Sequence, residues 1–126
     1  MNLANWLERT ALRHPNRKAL FLGSECIGTY KDFWLAVCAL RFHLEKEGVK
    51  SGDRVAVYMQ NCPEFLVAFY AVWSMGAVIV PINFKLHLRE VSWILENAEC
   101  SYILGDTVLA SDISLPDITV FAPKWD

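Results

Sequence analysis

The segment from Asp53 to Asn83 combines two short apolar runs with a stretch of helical length between them. The apolar runs cover residues 55–59 and 77–82, and both are rich in β-branched side chains, which favour strands. Pro63 suits the first position of a helix, and Gly76 suits a left-handed helix end. A helix of about a dozen residues between two buried strands predicts a right-handed crossover within a parallel sheet.

A membrane span is the alternative interpretation of this segment, because residues 65–84 carry no charged side chain. Ser74, Gly76 and Pro81 interrupt the run, however, where a turn and a strand end are expected. We therefore predict a helix from Pro63 to Met75 that is apolar on all sides and buried. A short chain offers little to cover its outer face, so this helix predicts a continuation of the protein or self-association through it.

The rest of the chain alternates helices and strands. A helix is expected from Asn2 to about His14, and a second runs from the capping residue Thr29 to Gly48. The other expected elements are a hairpin of strands 18–22 and 25–29, a helix over 88–97, strands over 101–104 and 118–121, and a helical turn over 107–111. The pattern predicts one α/β domain over residues 1–126: an open, mainly parallel sheet with helical crossovers, preceded by an N-terminal helix and a β-hairpin.

Composition excludes several classes of function. The chain is 54% hydrophobic and 21% charged, with a net charge of −2, so nothing resembles the basic stripe of a nucleic-acid-binding surface. Glu8 and Arg9 near the start argue against a secretory signal. The cysteines and histidines are scattered without the spacing of a metal site or a redox dithiol: Cys26, Cys38, Cys62, Cys100, His14, His43 and His87. These features predict a cytoplasmic protein without a transmembrane span or a protein-bound metal.

Few residues stand out as candidates for chemistry. No glycine-rich phosphate loop is present, and the turn at Asn61 and Cys62 leads into a helix N-terminus that is a weak candidate for binding anions. A thiol at such a position can have a lowered pKa, but no base lies near Cys62 in the sequence. Glu64 and Glu90 are interpreted as first-turn helix carboxylates rather than an acid–base pair. No catalytic residue follows from the pattern.

Lys85 is the more informative charge. It follows the second parallel strand by a few residues, at the edge where open α/β sheets bind ligands. A solvated surface lysine is the alternative interpretation.

Several segments together resemble the AMP-forming acyl-CoA synthetases of the adenylate-forming superfamily, which includes luciferases and peptide-synthetase adenylation domains. Residues 28–33 read Gly-Thr-Tyr-Lys-Asp-Phe and resemble the family's Thr-Tyr-x-Glu-Leu entry to its first long helix. Residues 48–56, Gly-Val-Lys-Ser-Gly-Asp-Arg-Val-Ala, resemble Gly-Val-x-x-Gly-Asp-x-Val-Ala. Asn-Cys-Pro-Glu-Phe at 61–65 and Trp-Ser-Met-Gly-Ala-Val-Ile-Val-Pro-Ile-Asn at 73–83 match the next two segments, and the resemblance extends through residues 86–104.

The resemblance implies the N-terminal subdomain of the adenylate-forming fold. The family couples a carboxylic acid to ATP as an acyl-adenylate, releases pyrophosphate and transfers the acyl group to coenzyme A. Its Pro-Lys-Gly loop and its Tyr-Gly-x-Thr-Glu segment do not occur in this sequence. We therefore expect the amino-terminal fragment of a longer ligase that uses ATP, Mg²⁺, coenzyme A and a small carboxylic acid, inactive by itself and binding none of these tightly. The alternative is a free-standing, non-catalytic remnant that acts as an interaction module.

The resemblance also implies a role for Lys85. In some family members, an Arg in an Asn-Pro-Arg-Leu turn helps to bind the nucleotide of coenzyme A. The corresponding turn here is Asn83-Phe84-Lys85-Leu86, so a lysine keeps the charge but lacks the bidentate geometry of arginine. Lys85 is accordingly the predicted cofactor-binding residue.

Overall fold

A four-stranded parallel sheet organises the chain. The computed structural model describes residues 2–105 and the backbone of Thr119–Phe121. The elements in chain order are helix α1 (Ala4–Arg13), strands β1 (Lys18–Leu22) and β2 (Glu25–Thr29), helix α2 (Tyr30–Lys46), strand β3 (Arg54–Tyr58), helix α3 (Pro63–Ser74), strand β4 (Val78–Ile82), helix α4 (Leu88–Asn97), and strands β5 (Tyr102–Gly105) and β6 (Thr119–Phe121). Strands β1 and β2 form a separate antiparallel hairpin, and the parallel strands lie in the order β4-β3-β5-β6.

The strand order places the two crossover helices on opposite faces of the sheet. The chain runs from β3 through α3 to β4 on one side of β3, then through α4 back to β5 on the other side. Val55 and Val57 of β3 belong to the core that contains α3, whereas Ala56 and Tyr58 belong to the core that contains α4. This alternation is typical of a strand buried on both faces. The predicted parallel sheet is confirmed, with strand ends shifted by one residue.

Helix α3 packs against this chain on two sides, so its outer face is partly covered, and Leu66 on this helix remains 46% exposed. One side packs on the sheet, and the core on the other side includes Leu7 of α1 and Leu44 of α2. The rings of Phe33 in α2 and Tyr70 in α3 meet edge to face, with centroids 5.4 Å apart. Helices α1 and α2 therefore cover part of the face that pointed to self-association through residues 63–75, and this self-association stays a prediction.

The membrane alternative is also tested by these helices. Helix α3 has 12 residues. No helix in the part of the chain that the structure describes combines the length and the apolar character that crossing a membrane requires.

Two helices begin at reciprocal capping boxes. The Asp32 backbone N–H donates to the Thr29 hydroxyl (3.2 Å), and the Thr29 N–H donates to the Asp32 carboxylate (2.9 Å). These hydrogen bonds with Thr29 lower the pKa of Asp32 below its usual value. His87 and Glu90 cap α4 in the same way, which gives the Glu90 carboxylate a structural role, as predicted. The helical turn predicted over residues 107–111 lies outside the described residues.

Gly76 closes α3 in a left-handed conformation, with φ at 72°. A Cβ added there would lie 2.8 Å from the Ser51 Oγ, so a side chain would have to displace this hydroxyl. Gly23, in the hairpin turn, has a similar φ of 65°, but nothing lies within 4 Å of its added Cβ.

We expect Gly76→Ala to lower the free energy of unfolding by about 1–2 kcal/mol, because alanine is strained in the left-handed conformation. Displacement of the Ser51 hydroxyl should lower it further. Equilibrium urea unfolding measures this change. Gly23→Ala is the matched control, because it places alanine in the same conformation without the steric contact. A loss at Gly76 no larger than the loss at Gly23 would show that Ser51 does not crowd this position.

Candidate ligand cleft at the carboxyl edge of the sheet

The parallel strands β3 and β4 end side by side, and an open cleft of about 620 Å³ lies at their carboxyl ends. The residues that follow each strand line it together with the first turn of α3: Met59, Gln60, Asn61, Phe65, Pro81, Ile82, Asn83, Phe84 and Lys85. Open α/β sheets bind ligands at this edge, because the loops after parallel strands converge there. The cleft is therefore the candidate site.

Lys85 is the charged side chain among the residues that line this cleft. Its side chain is exposed, and its Nζ lies 5.9 Å from the centroid of the Phe84 ring. Its backbone N–H donates to the Asn83 Oδ1 at 3.0 Å, and the Leu86 N–H donates to the Asn83 carbonyl at 3.1 Å. These hydrogen bonds form a closed turn, residues 83–86, that presents the ammonium group to the cleft.

Tyr58 lies beneath this turn and was not among the residues that the sequence singled out. Its side chain is only 2% exposed, and its hydroxyl lies 3.4 Å from the Phe84 carbonyl and 3.4 Å from the Leu86 carbonyl. A tyrosine at the end of a buried aliphatic run could have pointed to this contact in the sequence, because a buried tyrosine hydroxyl needs a hydrogen-bond partner.

The structure brings Asn61 and Lys85 to the same cleft, but it gives Cys62 no activating environment. Burial raises the pKa of the Cys62 thiol, and a hydrogen bond with Glu64 raises it further. The lowered pKa considered for this thiol is therefore wrong, because desolvation and the nearby carboxylate both disfavour the thiolate. Neither Asn61 nor Cys62 caps α3 through its side chain.

Within residues 2–105, no three His, Cys, Asp or Glu side chains are grouped so that they could hold a metal ion. Glu64 lies in the first turn of α3 and Glu90 in the first turn of α4, on opposite faces of the sheet. The described part of the chain thus offers an open cleft with one lysine, Lys85, among its described lining residues.

A doubly wound parallel sheet with an open cleft at its carboxyl edge is an arrangement common among α/β domains that bind nucleotides and cofactors. The chain belongs to the AMP-binding enzyme family, whose model matches residues 7–122. This membership confirms the resemblance seen in the sequence.

Relatives and solved structures agree with this assignment. The chain is 32% identical over 120 residues to 2-succinylbenzoate–CoA ligase of Bacillus thuringiensis, covering 95% of the chain. It is 42% identical over 57 residues, or 45% of the chain, to crotonobetaine/carnitine–CoA ligase of Salmonella paratyphi B, of which 11% is covered. The N-terminal subdomain of Klebsiella oxytoca NpsA, in complex with anthranilyl-AMSN, superposes with a TM-score of 0.87 at 25% identity over 97% of the chain and 31% of that structure.

A further structural relative is O-succinylbenzoate coenzyme A synthetase from Bacillus subtilis in complex with AMP, with a TM-score of 0.85 at 26% identity, covering 93% of the chain and 30% of that structure. These neighbours confirm the predicted fold, that of the N-terminal subdomain of an adenylate-forming enzyme. The chain spans only 24% of the length of its Bacillus thuringiensis relative.

Proposed function

We propose that residues 1–126 form a single α/β subdomain, the amino-terminal part of an AMP-forming acid–CoA ligase. Such an enzyme joins a small carboxylic acid to coenzyme A and converts ATP to AMP and pyrophosphate. The observation that carries the proposal is the similarity to a CoA ligase over 95% of the chain. The relatives named for different acids support the reaction class and leave the acid itself open.

The reading frame beyond codon 126 provides the first test. We expect it to encode the Pro-Lys-Gly and Tyr-Gly-x-Thr-Glu segments, and we expect the complete product to form acyl-CoA from ATP, coenzyme A and a carboxylic acid. A stop codon directly after Asp126, or a complete product without carboxylate-dependent release of AMP, would contradict the proposal.

The ligands that we assign to this segment follow from the side chains that its described residues offer. Mg²⁺ and the ATP phosphates are proposed to be held by groups outside residues 2–105, within which no three His, Cys, Asp or Glu side chains are grouped so that they could hold a metal ion. Coenzyme A is different, because Lys85 provides a cation at the cleft for one of its phosphates. This segment is proposed to bind and orient the coenzyme, with tight binding reserved for the complete enzyme.

Lys85→Ala is expected to raise the KM for coenzyme A of the complete ligase by about tenfold or more. A charge-assisted contact with a phosphate is worth about 1.5–3 kcal/mol, whereas an exposed ion pair contributes little. Steady-state kinetics with varied coenzyme A, at saturating ATP and acid, measures the change.

Two variants sharpen this measurement. Lys85→Arg keeps the charge and should retain most of the affinity for coenzyme A. Lys50→Ala removes an exposed lysine that precedes β3, at the opposite edge of the sheet, and should leave the KM unchanged. If Lys85→Ala behaves like Lys50→Ala, Lys85 is a solvated surface residue.

The alternative is a free-standing interaction module. It was based on an uncovered face of the helix from Pro63 to Met75, and α1 and α2 cover part of this face.

The cytoplasm is the location proposed for the ligase. Its support is that Cys26, Cys38, Cys62 and Cys100 are all free thiols, the form expected in a reducing compartment.

A further inference from the structure

The Tyr58 hydroxyl is the polar tip of a side chain buried within the core between the sheet and α4. It lies 3.4 Å from the carbonyl oxygens of both Phe84 and Leu86. A hydroxyl has one hydrogen to donate, so the two carbonyls share it in a three-centre contact. These carbonyls flank Lys85 on either side.

The turn that carries Lys85 is thus held by two kinds of contact. Asn83 closes it from within, since its side-chain and backbone oxygens accept from the Lys85 and Leu86 amides. Tyr58 holds it from the strand beneath, and the half-buried Phe84 side chain packs on the same core. A lysine side chain has many rotamers, so a fixed backbone is what limits the volume that its ammonium group explores.

We propose that Tyr58 is a positioning residue, whose hydroxyl fixes the turn over residues 83–86 and thereby holds Lys85 at the cleft for a phosphate of coenzyme A. This inference rests on the function proposed above for Lys85. Tyr58 itself does not line the cleft and acts through the turn.

Amide hydrogen exchange in the 126-residue chain tests the positioning directly. Tyr58→Phe keeps the buried ring and removes only the hydroxyl. Loss of a neutral hydrogen bond worth about 0.5–1.5 kcal/mol should speed exchange of the Lys85 and Leu86 amides about two- to tenfold. The amides of Val57 and Val80, which face each other's strand within the β3–β4 pair, should keep their rates.

Tyr70→Phe is the matched control, because it removes a tyrosine hydroxyl from α3, on the opposite face of the sheet. It should leave exchange at Lys85 and Leu86 unchanged. The proposal is overturned if Tyr58→Phe leaves these two amides unchanged. It is equally overturned if Val57 and Val80 accelerate by the same factor, since the hydroxyl would then support the fold in general.

Kinetics of the complete ligase separates this inference from the function on which it rests. Tyr58→Phe should raise the KM for coenzyme A about two- to tenfold, with kcat changed less than about twofold. In the Lys85→Ala background it should have little further effect, because a positioning residue acts through the group that it positions.

The KM values distinguish failure of the role proposed for Lys85 from failure of the role proposed for Tyr58. If Lys85→Ala leaves the KM unchanged, the proposed role of Lys85 fails. If Lys85→Ala raises the KM but Tyr58→Phe does not, Lys85 binds the coenzyme without help from Tyr58, and only the positioning role fails. Fully additive effects in the double variant would also reject it.

Discussion

The purified 126-residue chain is expected to leave ATP–pyrophosphate exchange at the background rate with any carboxylic acid. Formation of an acyl-adenylate needs groups that cradle the triphosphate, a metal that bridges its oxygens and a cation near the developing charge. The chain contains neither a glycine-rich phosphate loop nor a Pro-Lys-Gly segment. The assay follows incorporation of labelled pyrophosphate into ATP with a panel of aliphatic and aromatic acids.

The expected deficit is large because several groups are missing together. Removal of a single preorganised hydrogen-bond donor costs about 2.7–4 kcal/mol of transition-state stabilisation, a factor of about 10²–10³ in rate. Within residues 2–105, the cleft offers Lys85 and the start of α3, and neither replaces a phosphate loop or a metal site. The absence of several such contributions removes many orders of magnitude in rate.

A complete acid–CoA ligase of the family serves as the positive control for this assay. Exchange by the 126-residue chain that depends on both the chain and a particular acid would contradict the prediction. It would mean that this chain contains an adenylation site that neither its motifs nor its described residues reveal. Exchange that persists without the acid, or that does not scale with the chain concentration, would indicate a contaminating activity.

The parallel sheet could be predicted because its signals are local. The runs over residues 55–59 and 77–82, the proline at the start of α3 and the glycine at its end all favour the same crossover. The Thr29 capping box was likewise visible, because its two partners are three residues apart. The differences in these elements are shifts of one residue at the starts or ends of the strands and at the end of α3.

The cover of α3 could not be predicted in the same way. The sequence shows that this helix is apolar on all sides, but it does not show which elements pack on the outer side. Leu7 and Leu44 lie far from α3 along the chain and meet it only in the folded protein. An apolar surface therefore indicated an absent partner, although the N-terminal part of the same chain covers part of this surface.

The candidate site, too, could be predicted from the sequence only in part. Lys85 was identified from its place after a predicted strand, and the structure locates it at the cleft. Tyr58 could not be singled out from the sequence, because its hydroxyl contacts a turn more than 20 residues later in the chain. The raised pKa of Cys62 also depends on tertiary burial, which outweighs the effect expected from a helix start alone.

Leu44→Ala should reveal the covering of α3 as a large loss of stability. The Leu44 side chain is 0% exposed and lies in the core shared by α1, α2, α3 and the sheet. Truncation of a fully buried leucine to alanine costs about 3–5 kcal/mol, through lost transfer energy and the cavity that remains. This loss is a large fraction of the free energy of unfolding of a typical protein, which is about 5–15 kcal/mol. Equilibrium urea unfolding followed by circular dichroism measures the loss.

Leu35→Ala is the matched control, because Leu35 lies on the same helix α2 and is 55% exposed. The two substitutions make the same change in helix propensity, so the difference between them reports the burial of Leu44 against its neighbours. Leu35→Ala should cost less than about 1 kcal/mol. If Leu44→Ala prevents folding altogether, the smaller truncation Val37→Ala, at another fully buried position of α2, keeps the comparison measurable. Equal small losses at the buried and exposed positions would mean that α2 does not cover α3, and the outer face of that helix would again need another partner.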